Sequence, residues 1–291
     1  MGQVTLVLKL TAEEQERLRS RMSSGIFEYR STPYARFSAR GEGVIATLYD
    51  SGKFVVQGND PRAFAKKYLD RTEEPEDRAG LPDVGVRVLV GSDEAGKGDY
   101  FGPLVVAAVR ARPEQRAEIA AAGVIDSKKL SDDRVRRLAP ALEGRYEHAL
   151  EVLDPSAYNA EYGRFGNLNP ILAELHARAI KRLAKPGDVV LVDRFADERL
   201  VARRLAGIDL ELHQTPRAER EPAVAAASVI ARNAFLARLK ALSEEHAVDL
   251  PKGAGIQVDD AARKFIQIHG FQSIQKVAKI HFKNTERLRD A

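Results

Sequence analysis

The chain has 291 residues, 44% hydrophobic and 30% charged, an ordinary balance for a folded protein with room for one large and one small domain. It has no cysteine, which excludes a disulfide framework and thiolate chemistry. No apolar run approaches membrane-spanning length, the first residues lack the pattern of a signal peptide, and the net charge is +4. A cytoplasmic protein with no membrane partner is therefore expected, and the charge leans weakly toward a polyanionic partner.

Val4, Leu6, Leu8 and Leu10 alternate with other residues as one face of a strand. Thr11 and Glu14 then have the spacing of a capping box, opening a helix that carries Leu18 and Met22 and fades at Ser23-Ser24-Gly25. A strand near 34–39 follows, and 45–49 with 54–57 read as a hairpin about Asp50-Ser51-Gly52. Asn59 or Asp60, with Pro61, starts a short helix through Ala63, Ala65 and Tyr68. The sum is a β-α-β-β-β-α unit over residues 1–70. Residues 71–83 combine acidic residues with Pro75, Gly80 and Pro82, a linker composition. The first 83 residues carry 13 basic and 13 acidic side chains, so the whole positive excess lies in the second unit, 84–291.

In that unit strands are expected at 85–93, 103–110, 145–153, 188–193 and 208–213. Helices are expected around 113–121, 131–143, 170–184, 196–205, 223–243 and 272–282. Asn169-Pro170 has the form of a cap followed by an N1 proline. Early strands followed by alternating helices and strands make this an α/β unit, a mixed sheet flanked by helices.

The most informative stretch runs from Gly91 to Pro103, where Asp93-Glu94 meets Gly96, Gly98 and Gly102. Gly91 to Lys97 matches the start of a P-loop, but Gly98 stands where Ser or Thr would hold Mg²⁺, and no helix begins there. A structural tight turn would explain the glycines and leave the two acids unexplained. Paired carboxylates beside flexible backbone instead suit metal-dependent phosphate chemistry. Val189-Val190-Leu191-Val192-Asp193 brings another acid to a strand end, where ligands meet open α/β sheets. Glu219 and Glu221 both precede the small-residue run Ala223–Arg232 and compete for a further acid position.

These segments together resemble the type 2 ribonuclease H family, and within it the bacterial HIII branch, over essentially the whole chain. The matching pieces are GSDEAGKGDYFGPLVVAA at 91–108, DSKKLS at 126–131, VLVDRF at 190–195, AVAAASVIAR at 223–232 and HFKNTERL at 281–288. Gly-Lys-Gly is the HIII form; the HII branch usually has Gly-Arg-Gly. RFSARGEGVIATLYDSGKFVVQG at 36–58 resembles the added amino-terminal module of HIII enzymes. The implied fold is a ribonuclease H-like mixed sheet flanked by helices, preceded by a small α+β TATA-binding-protein-like domain that binds substrate.

The resemblance places the catalytic, metal-holding acids on Asp93, Glu94, Asp193 and Glu219, with Glu221 as substitute for the last. It implies Mg²⁺ or Mn²⁺, two ions during catalysis, and an RNA–DNA hybrid as partner of a monomeric endoribonuclease. Asp93 is expected to bridge the ions, Glu94 and Asp193 each to fix one, and Glu219 to complete the water side. Gly96, Lys97 and Gly98 are expected to read the ribose and its phosphate, and Ser127, Lys128 and Lys129 to grip the substrate backbone, extended by His281 and Lys283. His269 and His281 have packing or simple solvation as their alternatives. In the first domain Tyr34, Arg36, Ser38, Thr47, Tyr49 and Lys53 offer a binding face, unless Tyr34, Phe37 and Tyr49 only pack on its helices. Two other activities stay open: incision at single ribonucleotides in DNA, and hybrid binding without catalysis.

Overall fold

Apolar alternation produces strands where it meets good turns, and the first unit follows that rule. In the computed structural model, which describes residues 4–23, 25–69, 81–124 and 127–289, the chain divides into units at Met1–Ala79 and Gly80–Ala291. The first unit has β1 (Val4–Lys9), α1 (Ala12–Met22), β2 (Glu28–Arg30), β3 (Ala35–Gly41), β4 (Val44–Tyr49), β5 (Lys53–Gly58) and α2 (Pro61–Leu69). Thr11 and Glu14 form the expected capping box, satisfying two amides at the start of α1. The strands make one antiparallel sheet in the order β1-β5-β4-β3-β2. Leu8, Phe54, Val56, Leu18, Met22 and Phe64 form its core between sheet and helices.

Two expectations for this unit change. β2 was not foreseen, since three exposed residues carry no alternation. Tyr34 lies outside β3 with φ of +61° and is exposed, so it belongs to the turn and not to the sheet face. Of the expected linker, residues 71–80 lie outside the described residues.

The second unit contains β6 (Leu89–Ala95), β7 (Leu104–Ala111), α3 (Pro113–Ala121), α4 (Asp132–Arg145), β8 (Glu147–Leu153), α5 (Pro155–Phe165), α6 (Leu168–Leu183), β9 (Val189–Asp193), α7 (Arg199–Arg204), β10 (Glu211–Thr215), α8 (Pro222–His246), α9 (Ile256–His269) and α10 (Lys283–Arg289). Its mixed sheet has the order β10-β9-β6-β7-β8, with β6, β9 and β10 parallel and β7 antiparallel to β6 and β8. Residues of alternate parity feed two cores. Leu89, Val105, Ala107 and Leu191 face α8, while Val90, Val106, Val190 and Val192 face α6. Gly91 explains how α8 comes so near: a Cβ there would lie 2.4 Å from the Val224 nitrogen.

Several boundaries move for tertiary reasons. The valine alternation at 84–90 does not make one strand; Val86 is exposed in a turn and β6 starts at Leu89. α6 is capped by Asn167, because Gly166 ends α5 in the left-handed region and Asn167 is the first extended residue after it. α5 itself, opened by Asp154-Pro155, and α9 were not foreseen.

The helix expected at 272–282 is absent. A 3-10 turn spans Phe271–Lys276, and the residues after it clip onto the loop before β7. The Gly102 amide donates to Val277 and the Lys279 amide to Tyr100, at 2.9 and 2.8 Å.

Candidate active site

Strand register builds the centre of the site. β6 pairs with β9 only through Ser92 and Val192, but continues along β7 to Ala95. One step past Ser92–Val192, Asp93 and Asp193 therefore stand side by side where the two strands part. Both share the parity that faces α8, whereas Glu94, like Ser92, takes the α6 side. Asp93 thus lies inside a strand, not at the strand end where the sequence reading put it; the end that matters is that of its neighbour β9.

Two of the three carboxylates are held by backbone amides. Asp93 Oδ1 accepts from the Glu94 amide at 2.8 Å, and Asp193 Oδ1 from the Ala218 amide at 3.0 Å. Burial, with the charges of Glu94 and Asp193 added, pushes the Asp93 carboxyl well above the usual carboxylate range. Asp193 is raised mainly by burial, against the Ala218 amide, with Glu94 adding to the rise. Glu94 goes the other way. Burial would raise it, but contacts with His176, Lys97 and Lys128 outweigh that and hold it low. Each acid senses another, so the cluster is under electrostatic tension that a cation would relieve.

A cleft of about 680 Å³ opens onto two of these acids, lined among others by Glu94, Gly96, Lys97, Gly98, Lys128 and Asp193, while Asp93 is buried and is not among the lining residues. Lys97 places its ammonium 3.5 Å from Glu94 Oε1. Gly96 is buried with φ of +87°, whereas Gly98 is exposed and a Cβ there would meet open space. The loop is anchored from behind. Asp99 Oδ1 accepts from the Gly253 amide at 2.7 Å, and Lys279 Nζ donates to the Gly102 carbonyl at 2.6 Å.

The other expected residues divide. Ser127 is buried and hydrogen-bonded to Ser228 at 2.6 Å, while its carbonyl accepts from Arg232. Its hydroxyl thus has an internal partner, although the residue lines the cleft. Lys128 acts electrostatically on all three acids; Lys129 is exposed and does not line the cleft. Asp126 lies outside the described residues. Glu219 sits half-buried in a 3-10 turn beside Ala218, the residue that anchors Asp193, and is not among the cleft-lining residues. Glu221 is buried at the start of α8 with Arg116 at 3.5 Å. His281 stacks on Tyr162 at 4.1 Å and His269 donates to the His246 carbonyl, so both take the packing alternative; Lys283 is exposed.

Sequence reasoning missed His176, Phe195, Arg232 and Lys279. His176 offered one faint signal, an imidazole within the buried apolar face of α6.

Among the described residues no three potential ligands already form a metal cage. The donor chemistry nevertheless fits a hard divalent cation: the donors are three carboxylates that act on one another's charge, and the imidazole of His176 turns its nitrogens to Ser92 and Glu94.

The family model for Ribonuclease HII matches residues 90–285, and a Domain of unknown function (DUF3378) matches 5–79. Ribonuclease HIII of Protochlamydia amoebophila (strain UWE25) is 37% identical over 98% of this chain and 95% of its own. That of Geobacillus sp. (strain WCH70) is also 37% identical, over 97% and 96%. The crystal structure of Bst-RNase HIII in complex with Mn²⁺ aligns with a TM-score of 0.67 at 32% identity, covering 99% of this chain and 98% of that one. Aquifex aeolicus RNase H3 aligns at 0.55 and 28%, covering 94% and 99%. Fold and site define a metal-dependent ribonuclease H, a hydrolase of the type 2 class. The chain belongs to the ribonuclease HIII family.

Proposed function

We propose that this chain is an endoribonuclease that hydrolyses the RNA strand of RNA–DNA hybrids, leaving 3′-hydroxyl and 5′-phosphate ends. The observation that carries the proposal is the meeting of Asp93, Glu94 and Asp193 where β9 parts from β6, beside the Gly96–Gly98 loop. Asp93, Glu94 and Asp193, with Glu219 as fourth, would hold two Mg²⁺ or Mn²⁺ ions. When bound, such ions supply an activated water and charge stabilisation at the leaving oxygen. Asp93, flanked by both other acids, would be suited to serve both ions, and Glu94 and Asp193 would each help to hold one.

The remaining work falls to the loops. Gly98 leaves open space through which main-chain groups can approach a ribose, whose 2′-hydroxyl is what separates RNA from DNA. Lys97 and Lys128 meet backbone phosphates, and Ser127 and Lys129 contribute from the same turn. In the first unit Arg36, Tyr49 and Lys53 on the outer sheet face add affinity for the duplex by shape and charge, whereas Ser38 and Thr47, expected to join them, are buried and hydrogen-bonded to each other at 2.9 Å. The protein acts as a monomer in the cytoplasm.

The decisive experiment is cleavage of an end-labelled hybrid in Mg²⁺ or Mn²⁺ by the native protein and its Asp193→Asn variant. The variant should bind hybrid as before and cut it at least about 100-fold more slowly. Unchanged turnover would refute the carboxylate-metal assignment. Preferred cutting at a single ribonucleotide in DNA would favour the junction-cutting activity instead.

A further inference from the structure

Behind the acids lies a layer that the reaction itself does not use. His176, on α6, has no exposed surface. Its Nδ1 lies 2.8 Å from the Ser92 hydroxyl, which also lies 2.8 Å from the Ala107 carbonyl. A carbonyl only accepts, so the single serine hydrogen goes to Ala107 and the serine oxygen must accept from His176 Nδ1–H. That settles the ring's orientation and turns Nε2 toward Glu94 Oε2, 3.4 Å away. Neither atom has another hydrogen-bond partner among the described residues. The Nε2 edge of the ring is thus the side that meets the Glu94 carboxylate.

Phe195 closes the arrangement. Its ring lies nearly parallel to the imidazole, with centroids 5.1 Å apart and planes at 11°, two residues beyond Asp193. The Lys97 ammonium also lies near that ring, at 5.9 Å from its centroid. The two oxygens of Glu94 therefore have different surroundings: Oε1 turns toward Lys97, which lines the cleft, and Oε2 toward the buried imidazole. A glutamate has one more torsion than an aspartate, so Glu94 needs such support more than Asp93 or Asp193 does.

We propose that His176 is a positioning residue: oriented by Ser92 and covered by Phe195, it holds Oε2 of Glu94 and leaves Oε1 as that acid's single metal-binding atom. The proposal rests on the reading of Glu94 as a metal ligand. Its polarity also gives each ring nitrogen a separate task. Asparagine can imitate only the Nδ1 side, and glutamine only the Nε2 side.

The test is Mn²⁺ binding by calorimetry on the full chain without substrate, together with thermal unfolding in chelator. His176→Asn should weaken Mn²⁺ binding about tenfold or more, whereas His176→Gln should stay nearer the native value. In turnover assays the half-saturating Mn²⁺ concentration should rise for His176→Asn while the KM for hybrid holds. In a Glu94→Gln background His176→Asn should add no further loss of Mn²⁺ affinity. A purely structural histidine would make the two variants alike. Native Mn²⁺ affinity in His176→Asn, with weakened affinity in Glu94→Gln, overturns the positioning role and spares the metal site. Native affinity in Glu94→Gln removes the metal reading of Glu94 and the proposal with it. Should His176→Asn fail to fold, Ser92→Ala frees the ring instead, and native Mn²⁺ affinity there also overturns the proposal.

Discussion

At Gly96 an alanine Cβ would lie 2.2 Å from the Pro103 carbonyl oxygen, in backbone with φ of +87°. At Gly98, two residues on, it would meet nothing within 4 Å. The fold thus demands glycine at position 96 and leaves position 98 free for the proposed contact with substrate. Gly96→Ala is expected to cost about 1–3 kcal/mol of stability and lower the melting temperature. Gly98→Ala should leave unfolding within about 0.5 kcal/mol of native yet weaken hybrid binding, because the added methyl group enters the space where a ribose would approach. Equal melting temperatures for the two variants would refute this division. The sequence displayed both glycines and gave no means of telling them apart, since the oxygen that excludes a side chain at Gly96 comes from seven residues further on, across a fold in the loop.

Among the elements, the segment after α9 departs most from its local pattern. Residues 277–282 read as helix, yet they form a clip over residues 100–103. Lys279 accounts for the difference. Its ammonium is fully buried against the carbonyls of Phe101, Gly102 and Pro103, and burial lowers its pKa to about 7. The unfolded chain, with an ordinary lysine, then holds more protons than the folded one above pH 7. This group's contribution makes stability rise with pH between pH 7 and 9, by up to about 1.4 kcal/mol per unit. Lys279→Met should remove that slope in chemical unfolding measured across the window; an unchanged slope would disprove the assignment. The same variant should lower turnover, since three carbonyls beside the Gly-Lys-Gly loop lose their donor.

For the molecule as a whole, the separation of units at residues 79 and 80 invites a truncation. Deleting residues 1–83 is expected to raise the hybrid concentration for half-maximal rate about tenfold or more and leave kcat within about threefold, because all of the proposed metal-holding acids lie in the second unit. A truncated chain without a cooperative unfolding transition would show that this unit does not stand alone. Residues 84–291 also carry all of the +4 excess, so the truncated protein should keep a salt-dependent affinity for hybrid.

The sequence alone determined what is local or periodic. The capping box of Thr11 and Glu14, the strands 104–111 and 189–193, the long helix after Pro222 and the Asp93-Glu94 pair all stand in short stretches whose pattern is complete in itself. Family likeness, also a property of the sequence, assigned Asp193 and Glu219 to the same expected site as that pair. Only the tertiary structure decided the distances. Register between β6 and β9 sets Asp93 beside Asp193, and strand parity sends Glu94 to the other face. A buried histidine 82 positions away meets it there. Lys279 and Ser127 changed meaning for the same reason, since whether a polar side chain faces water, substrate or a backbone carbonyl depends on chain segments remote in sequence. Hydrogen bonds and burial act through space, so those choices are made only when the sheet and its helices close around them.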